Sequence, residues 1–221
     1  MKTLLPAIIA LSTLCAGANV QAQAAKSGDA AAGANKNAMC IGCHAITGYQ
    51  ASFPEVHKVP MIAGQNAAYI VSALTAYQKG ERKHPSMKGI AASLSEQDMA
   101  DLAAFYQSEG GARAELPAKP AKTPNEQVAA LLQKGACASC HGENFSKPID
   151  PSYPKLSGQH ADYLLVALKS YKTEKNAKVG RSNAIMVAQT KPYTNAELKA
   201  LSGYLASLPG DLKTVSQPKF R

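Results

Sequence analysis

Cys40-Ile41-Gly42-Cys43-His44 and Cys137-Ala138-Ser139-Cys140-His141 are two copies of one pattern, C-x-x-C-H, standing 97 residues apart. They sit inside a longer repeat. "GQNAAYIVSALTAY" (64–77) matches "GQHADYLLVALKSY" (158–171) at seven of fourteen positions, with an offset of 94. Met87 and Met186 stand 99 apart, as do Ser95 and Thr194. A near-constant offset across these landmarks reads as tandem duplication with small changes in loop length. Between the copies, "GGARAELPAKPAKTP" (110–124) lacks apolar periodicity and reads as a semi-extended linker. The expected layout is a leader over 1–24, a first unit over 25–109, a linker over 110–124 and a second unit over 125–221.

The leader has a positive start at Lys2 and a mostly apolar stretch over 4–14. Val20-Gln21-Ala22 and Ala22-Gln23-Ala24 both fit a small-x-small cleavage site. The apolar stretch is shorter than the roughly 20 residues that span a bilayer, so it reads as a secretory signal that is removed. Cleavage takes Cys15 with it and leaves four cysteines. Export makes disulfides the default expectation, but the spacing argues for different chemistry. Two thiols on one helical turn can reach the two vinyl groups on one porphyrin edge, and the adjacent histidine then lies under the iron. C-x-x-C-H is the attachment pattern of c-type haem. A zinc ribbon places its pairs roughly 15–20 residues apart, and a thioredoxin-like site needs a βαβ context that is missing here. Two disulfides would leave both histidines unexplained. The expected cofactors are two covalently bound haem c groups, held by Cys40 and Cys43 and by Cys137 and Cys140, with His44 and His141 on the irons.

A low-spin carrier needs a second axial ligand, commonly Met or His. Met87 and Met186 each precede a capping-box sequence at a repeat-equivalent position, so they are the candidates. Met99 aligns with Leu198 and reads as core. Met61 aligns with Lys155, and Met39 adjoins Cys40 and points away. His84 competes with Met87 but reads as a solvated loop residue, and His57 and His160 read as surface or structural. A ligating histidine needs an acceptor for its other ring N–H. Pro60 and Pro154, 16 and 13 residues after their histidines and four before a Gly-Gln pair, mark loops whose carbonyls suit that task.

The units read as all-α. Ser95-Glu96-Gln97-Asp98 and Thr194-Asn195-Ala196-Glu197 resemble capping boxes followed by apolar residues at helical spacing. Thr123-Pro124-Asn125-Glu126 reads as another helix start, with proline in the first helical position and the helix running into the second cysteine pair. Each unit is small for an apolar core of its own, and an apolar haem would complete it. Charge is uneven. Residues 25–116 carry eight Lys/Arg against eight Asp/Glu, whereas 117–221 carry fifteen against seven. Lys169, Lys172, Lys175, Lys178 and Arg181 recur every three residues. They read either as a solvated face or as a landing patch for an acidic partner. Nucleic acid is not an expected partner of an exported chain.

On its twin motifs, its P-x-x-x-G-Q loops at Pro60 and Pro154 and its late Met87 and Met186, the chain resembles the class I c-type cytochromes. More narrowly, it is similar to the di-haem cytochrome c4 family. That resemblance implies two tandem class I cytochrome c-like domains related by an approximate twofold, each wrapped around one covalent haem. It implies His–Met ligation, proximal histidines bonded to Pro60-like carbonyls, and a periplasmic, non-enzymatic carrier between a cytochrome bc-type complex or dehydrogenase and a terminal oxidase or reductase. A monomer is expected, free or peripherally bound to a membrane. A di-haem peroxidase and a fixed subunit of a larger redox enzyme are the rivals. The loop over 45–59 is three residues longer than its counterpart and departs from the repeat.

Overall fold

The computed structural model describes residues 26–111 and 115–217; the leader, with Cys15, lies outside the described residues. In the first unit, α1 (Ala30–Lys36) and α2 (Ala38–His44) lead into a two-residue ladder of β1 (Gln50–Ala51) and β2 (His57–Lys58). α3 (Ala67–Lys79), β3 (Arg82–Lys83), α4 (Pro85–Ala92) and α5 (Glu96–Ser108) follow. The second unit repeats the plan with α6 (Glu126–Lys134), α7 (Ala138–His141), α8 (Ala161–Tyr171), β4 (Gly180–Arg181), α9 (Ala184–Thr190) and α10 (Asn195–Ala206).

Both capping boxes form. Ser95 Oγ accepts from Asp98 N while the Asp98 carboxylate accepts from Ser95 N, and Thr194 and Glu197 do the same. They start the two helices around which the units are built. α5 packs on α1 and α3, and α10 packs on α6 and α8. Ile70, Leu74, Met99, Leu102 and Phe105 meet in the first core, and Leu131, Phe145, Leu164, Leu198 and Leu201 in the second. Met99 is core, as its alignment with Leu198 predicts.

The start of α6 differs from the sequence expectation. Asn125, not Thr123, is the cap; its side chain accepts from Val128 N at 2.9 Å, so Pro124 lies outside the helix. α6 also stops at Lys134 instead of running into α7, because Ala136 turns the backbone to a φ of +45°.

The units meet along a seam that pattern reading does not anticipate. β3 pairs antiparallel with β4, placing Arg82 opposite Arg181. Lys213 N donates to Ala63 O at 3.0 Å, and buried Lys155 reaches Gly64 O at 2.8 Å and Asp211 at 2.9 Å. The linker lies against the second unit, where Pro117 O accepts from Asn144 and Lys122 O accepts from Tyr204.

One buried carboxylate ties the ends of the first unit together. Asp101 accepts from Asp29 N at 2.9 Å, from Lys36 at 2.7 Å and from Gln97 at 2.8 Å. Those bonds hold it at a pKa of about 2, below the ordinary value of about 3.9. A depressed carboxylate stabilises the fold above its unfolded pKa, and that stabilisation is lost as pH falls through the folded one. Asp101→Asn is therefore expected to lower the urea midpoint at neutral pH. It also narrows the loss of stability between about pH 4 and about pH 2, measured by helical circular dichroism.

Candidate functional site

α2 carries Cys40, Cys43 and His44 on its last turns, while α7 begins one residue after Cys137 and carries Cys140 and His141. None of the four cysteines is in a disulfide. Burial pushes the Cys40 and Cys137 thiols up. The shorter second loop must leave its histidine sharply. Gly142 turns it at a φ of +78°, and a Cβ there would stand 2.0 Å from Lys147 O. The longer first loop turns through Ala45 in an ordinary conformation.

His44 Nδ1 lies 2.9 Å from Pro60 O, and His141 Nδ1 lies 3.1 Å from Pro154 O. A carbonyl only accepts, so Nδ1 carries the proton in both rings and each Nε2 keeps its lone pair. Burial lowers both pKa values against the opposing effect of the carbonyl bond. Both rings are thus held neutral with one nitrogen free, the form in which imidazole ligates a metal.

Met87 and Met186 stand at matching places in α4 and α9, each helix fastened by a capping side chain. His84 Nδ1 accepts from Met87 N at 3.4 Å, and Asn183 Oδ1 accepts from Met186 N at 3.1 Å. The sequence reading of His84 as a solvated loop residue is corrected. It is a half-buried helix cap, edge-on to Phe53, and burial lowers its pKa. His57 is buried and bonded to Glu55 O. A cavity of about 1140 Å³ spans both units, and Cys40, Cys43, His44, Met87, Cys140, His141 and Met186 all reach its wall. Cys137 is half-buried against the second core.

The family model for cytochrome c matches residues 28–109 and 126–209. Cytochrome c4 of Azotobacter vinelandii is 30% identical over 90% of this chain and 98% of its own. The chain belongs to the cytochrome c4 family. Its fold matches the crystal structure of reduced recombinant cytochrome c4 from Pseudomonas stutzeri with a TM-score of 0.60. Identity there is 28%, over 83% of this chain and 100% of that one. The thiosulfate dehydrogenase electron acceptor of Thiomonas intermedia is 28% identical over 78% of this chain and 79% of its own. As a two-domain member of this family of electron carriers, the chain carries two covalently attached haem c groups.

The cavity fits that cofactor at its polar end as well as its apolar one. Arg82 donates to Tyr69 Oη and Tyr163 Oη at 3.3 Å, and Arg181 donates to Tyr163 Oη at 3.2 Å. Arg82 also lies over the Tyr77 ring, and Arg181 over the Tyr171 ring. Among the described residues no carboxylate pairs with either guanidinium, and buried Arg82 Nε has no partner. Two enclosed cations without an anion suit the propionates of a porphyrin. The phenols differ. Burial raises Tyr69, whereas for Tyr163 the burial effect is overturned by the two arginines and its pKa falls.

This cluster was missed in the sequence. Tyr69 and Tyr163, Tyr77 and Tyr171, and Arg82 and Arg181 all recur at the repeat offsets, which was the available signal. The basic stripe needs correction too. Arg181 belongs to the cavity wall, Lys169 pairs with Glu55 of the first unit, and Lys172 donates to Tyr193 O. Of the five, Lys175 and Lys178 remain exposed.

Replacing Cys137 and Cys140 together by serine is expected to lower covalently bound haem from two groups to one, read from the intact mass and the haem-to-protein ratio.

Proposed function

We propose that this chain is an exported, periplasmic di-haem carrier that moves single electrons by outer-sphere transfer. Cys40 and Cys43 hold one haem, with His44 and Met87 as axial ligands. Cys137 and Cys140 hold the other, with His141 and Met186. The observation that carries this reading is the pair of histidines, each fixed by a proline carbonyl with Nε2 free, in one cavity with a methionine from each unit.

The haems supply the one-electron ferric/ferrous couple; the chain fixes where and how easily it operates. The carbonyl bonds prevent the rings from rotating, and the capped helices hold Met87 and Met186 in place. Ligands held in this way rearrange little between oxidation states. Methionine rather than a second histidine raises the potential. His44 with Met87, and His141 with Met186, would leave neither iron a place for substrate, which separates this reading from a peroxidase.

The donor is a cytochrome bc-type complex or a dehydrogenase, and the acceptor a terminal oxidase or reductase. The relative named as an electron acceptor of thiosulfate dehydrogenase supports the dehydrogenase among donors. Excess positive charge in the second half, with Lys175 and Lys178 exposed, favours docking against an acidic surface there. Among the described residues no helix is long and apolar enough to cross a membrane. The proposal includes a leader cleaved after export and a monomer, free or peripherally bound to a membrane.

Optical and EPR spectra of the ferric and ferrous protein, with carbon monoxide and peroxide added, test the reading. Two low-spin haems inert to both ligands are expected. Met87→Ala and Met186→Ala should each open one haem, and only one, to carbon monoxide. A wild-type haem that binds peroxide readily would favour the peroxidase. Raising ionic strength should slow oxidation by an acidic partner, and a salt-independent rate would count against the docking surface.

A further inference from the structure

The two P-x-x-x-G-Q loops grip each other across the domain seam. Gln159 Nε2 donates to Met61 O at 2.9 Å, and Gln159 Oε1 accepts from Met61 N at 3.1 Å. Gln65 does the same to Lys155, donating to its carbonyl at 3.1 Å and accepting from its N–H at 3.0 Å. Each Oε1 takes a second N–H, from His160 and Asn66 respectively, at 3.0 Å. Those two donors fix the amide's orientation, since a flipped –NH₂ would face two N–H groups. Both glutamines are 4% exposed. The preceding glycines allow the approach. Gly64 and Gly158 have φ of +84° and +75°, and a Cβ on Gly64 would stand 2.4 Å from Asp211 O.

Met61 and Lys155 directly follow the prolines that serve the histidines. Met61 N–H and Pro60 C=O are two ends of one peptide group. The N–H donates to Gln159 of the second domain while the C=O accepts from His44 of the first. The Pro154–Lys155 peptide group likewise joins Gln65 of the first domain to His141 of the second. Chains of hydrogen bonds polarise one another. A bond donated at the N–H end makes the carbonyl a better acceptor, which draws the Nδ1 proton outward and makes Nε2 more basic. A more basic ligand favours the ferric state and lowers the potential.

We infer that Gln65 and Gln159 are positioning residues that act crosswise, each setting the ligand strength of the histidine in the opposite domain through a shared peptide group. The inference rests on His44 and His141 being the haem ligands. Each haem's potential then depends on docking of the other domain, and separation of the domains raises both.

The test uses the holoprotein with both haems and reads two midpoint potentials, each assigned to its domain by NMR, together with the Nδ1–H resonances of His44 and His141. Gln159→Met removes the clasp at similar size, and Gln159→Asn keeps an amide but withdraws it from Met61. Both variants are expected to raise the first haem's potential, changing its ferric-to-ferrous ratio at fixed potential by about threefold, as for loss of part of one hydrogen bond. They shift the His44 Nδ1–H resonance and leave the second haem in place. Gln65→Met is expected to raise the second haem's potential in the same way, shift the His141 Nδ1–H resonance and leave the first haem's potential unchanged. Lys169→Ala, which breaks the Glu55 pair at the same seam, should not select one haem. A shift confined to the haem of the mutated domain, an equal shift of both, or no shift overturns the relay. A wild-type haem lacking the His–Met signature overturns the ligand assignment and the relay with it.

Discussion

The arrangement depends on a single kind of contact, an imidazole Nδ1–H donated to a proline carbonyl. A histidine in a small helical unit has no inherent reason to present one ring nitrogen and hide the other. The bonds from His44 to Pro60 and from His141 to Pro154 settle both the tautomer and the ring plane. Each requires the carbonyl to be held at a fixed place, and a loop without regular hydrogen bonding cannot do that alone. In the first unit the loop is anchored by Gly64 N donating to Tyr106 O, and in the second by Gly158 N donating to Leu205 O. Each is thereby fastened to α5 or α10, the helix with a capping box at its start. The chain of dependence runs from cap to helix, from helix to loop, and from loop to ring.

Much of this was legible because it is local. The C-x-x-C-H motifs, the capping boxes at Ser95 and Thr194 and the carbonyl loops at Pro60 and Pro154 each occupy a few consecutive residues and follow short-range rules. The proposed methionine ligands needed one more step, the comparison of two copies, since a lone Met87 or Met186 is an ordinary gap-filler. What stayed hidden is non-local. Nothing in "RKH" (82–84) distinguishes an arginine in contact with three tyrosines from one in solvent, and nothing marks His84 as a cap until the helix after it is seen. Lys155 is the sharpest case. Nothing in the sequence marks the lysine aligned with Met61 for burial, yet it is buried because Gly64 O and Asp211 meet its ammonium from opposite units.

Duplication also explains why the seam is polar. Two copies meeting about a twofold bring the same surface to itself, so each residue must tolerate its own image or a near neighbour of it. Glutamine does so by offering a donor and an acceptor together, and the clasps at Met61 and Lys155 are images of each other. Arginine does not, since Arg82 opposite Arg181 places like charges together. Tyrosine rings and hydroxyls intervene between them, and the porphyrin propionates would complete the neutralisation.

The symmetry is broken where breaking it has consequences. Tyr163 accepts from both arginines and Tyr69 from one, so one phenol is driven down while the other rises. Lys155 places a cation where the first unit has Met61, and the loop around Glu55 reaches over to Lys169 with no equivalent in return. Two sites built from the same ligands would have the same potential in a perfect twofold, and an electron shared between them would have no preferred end. Under the proposed function, unequal charge at the seam would give the pair a direction. The differences between the copies therefore matter to function as much as the repeat does. They arise at the seam between the two domains, at Tyr69 and Tyr163, at Lys155 and at Glu55.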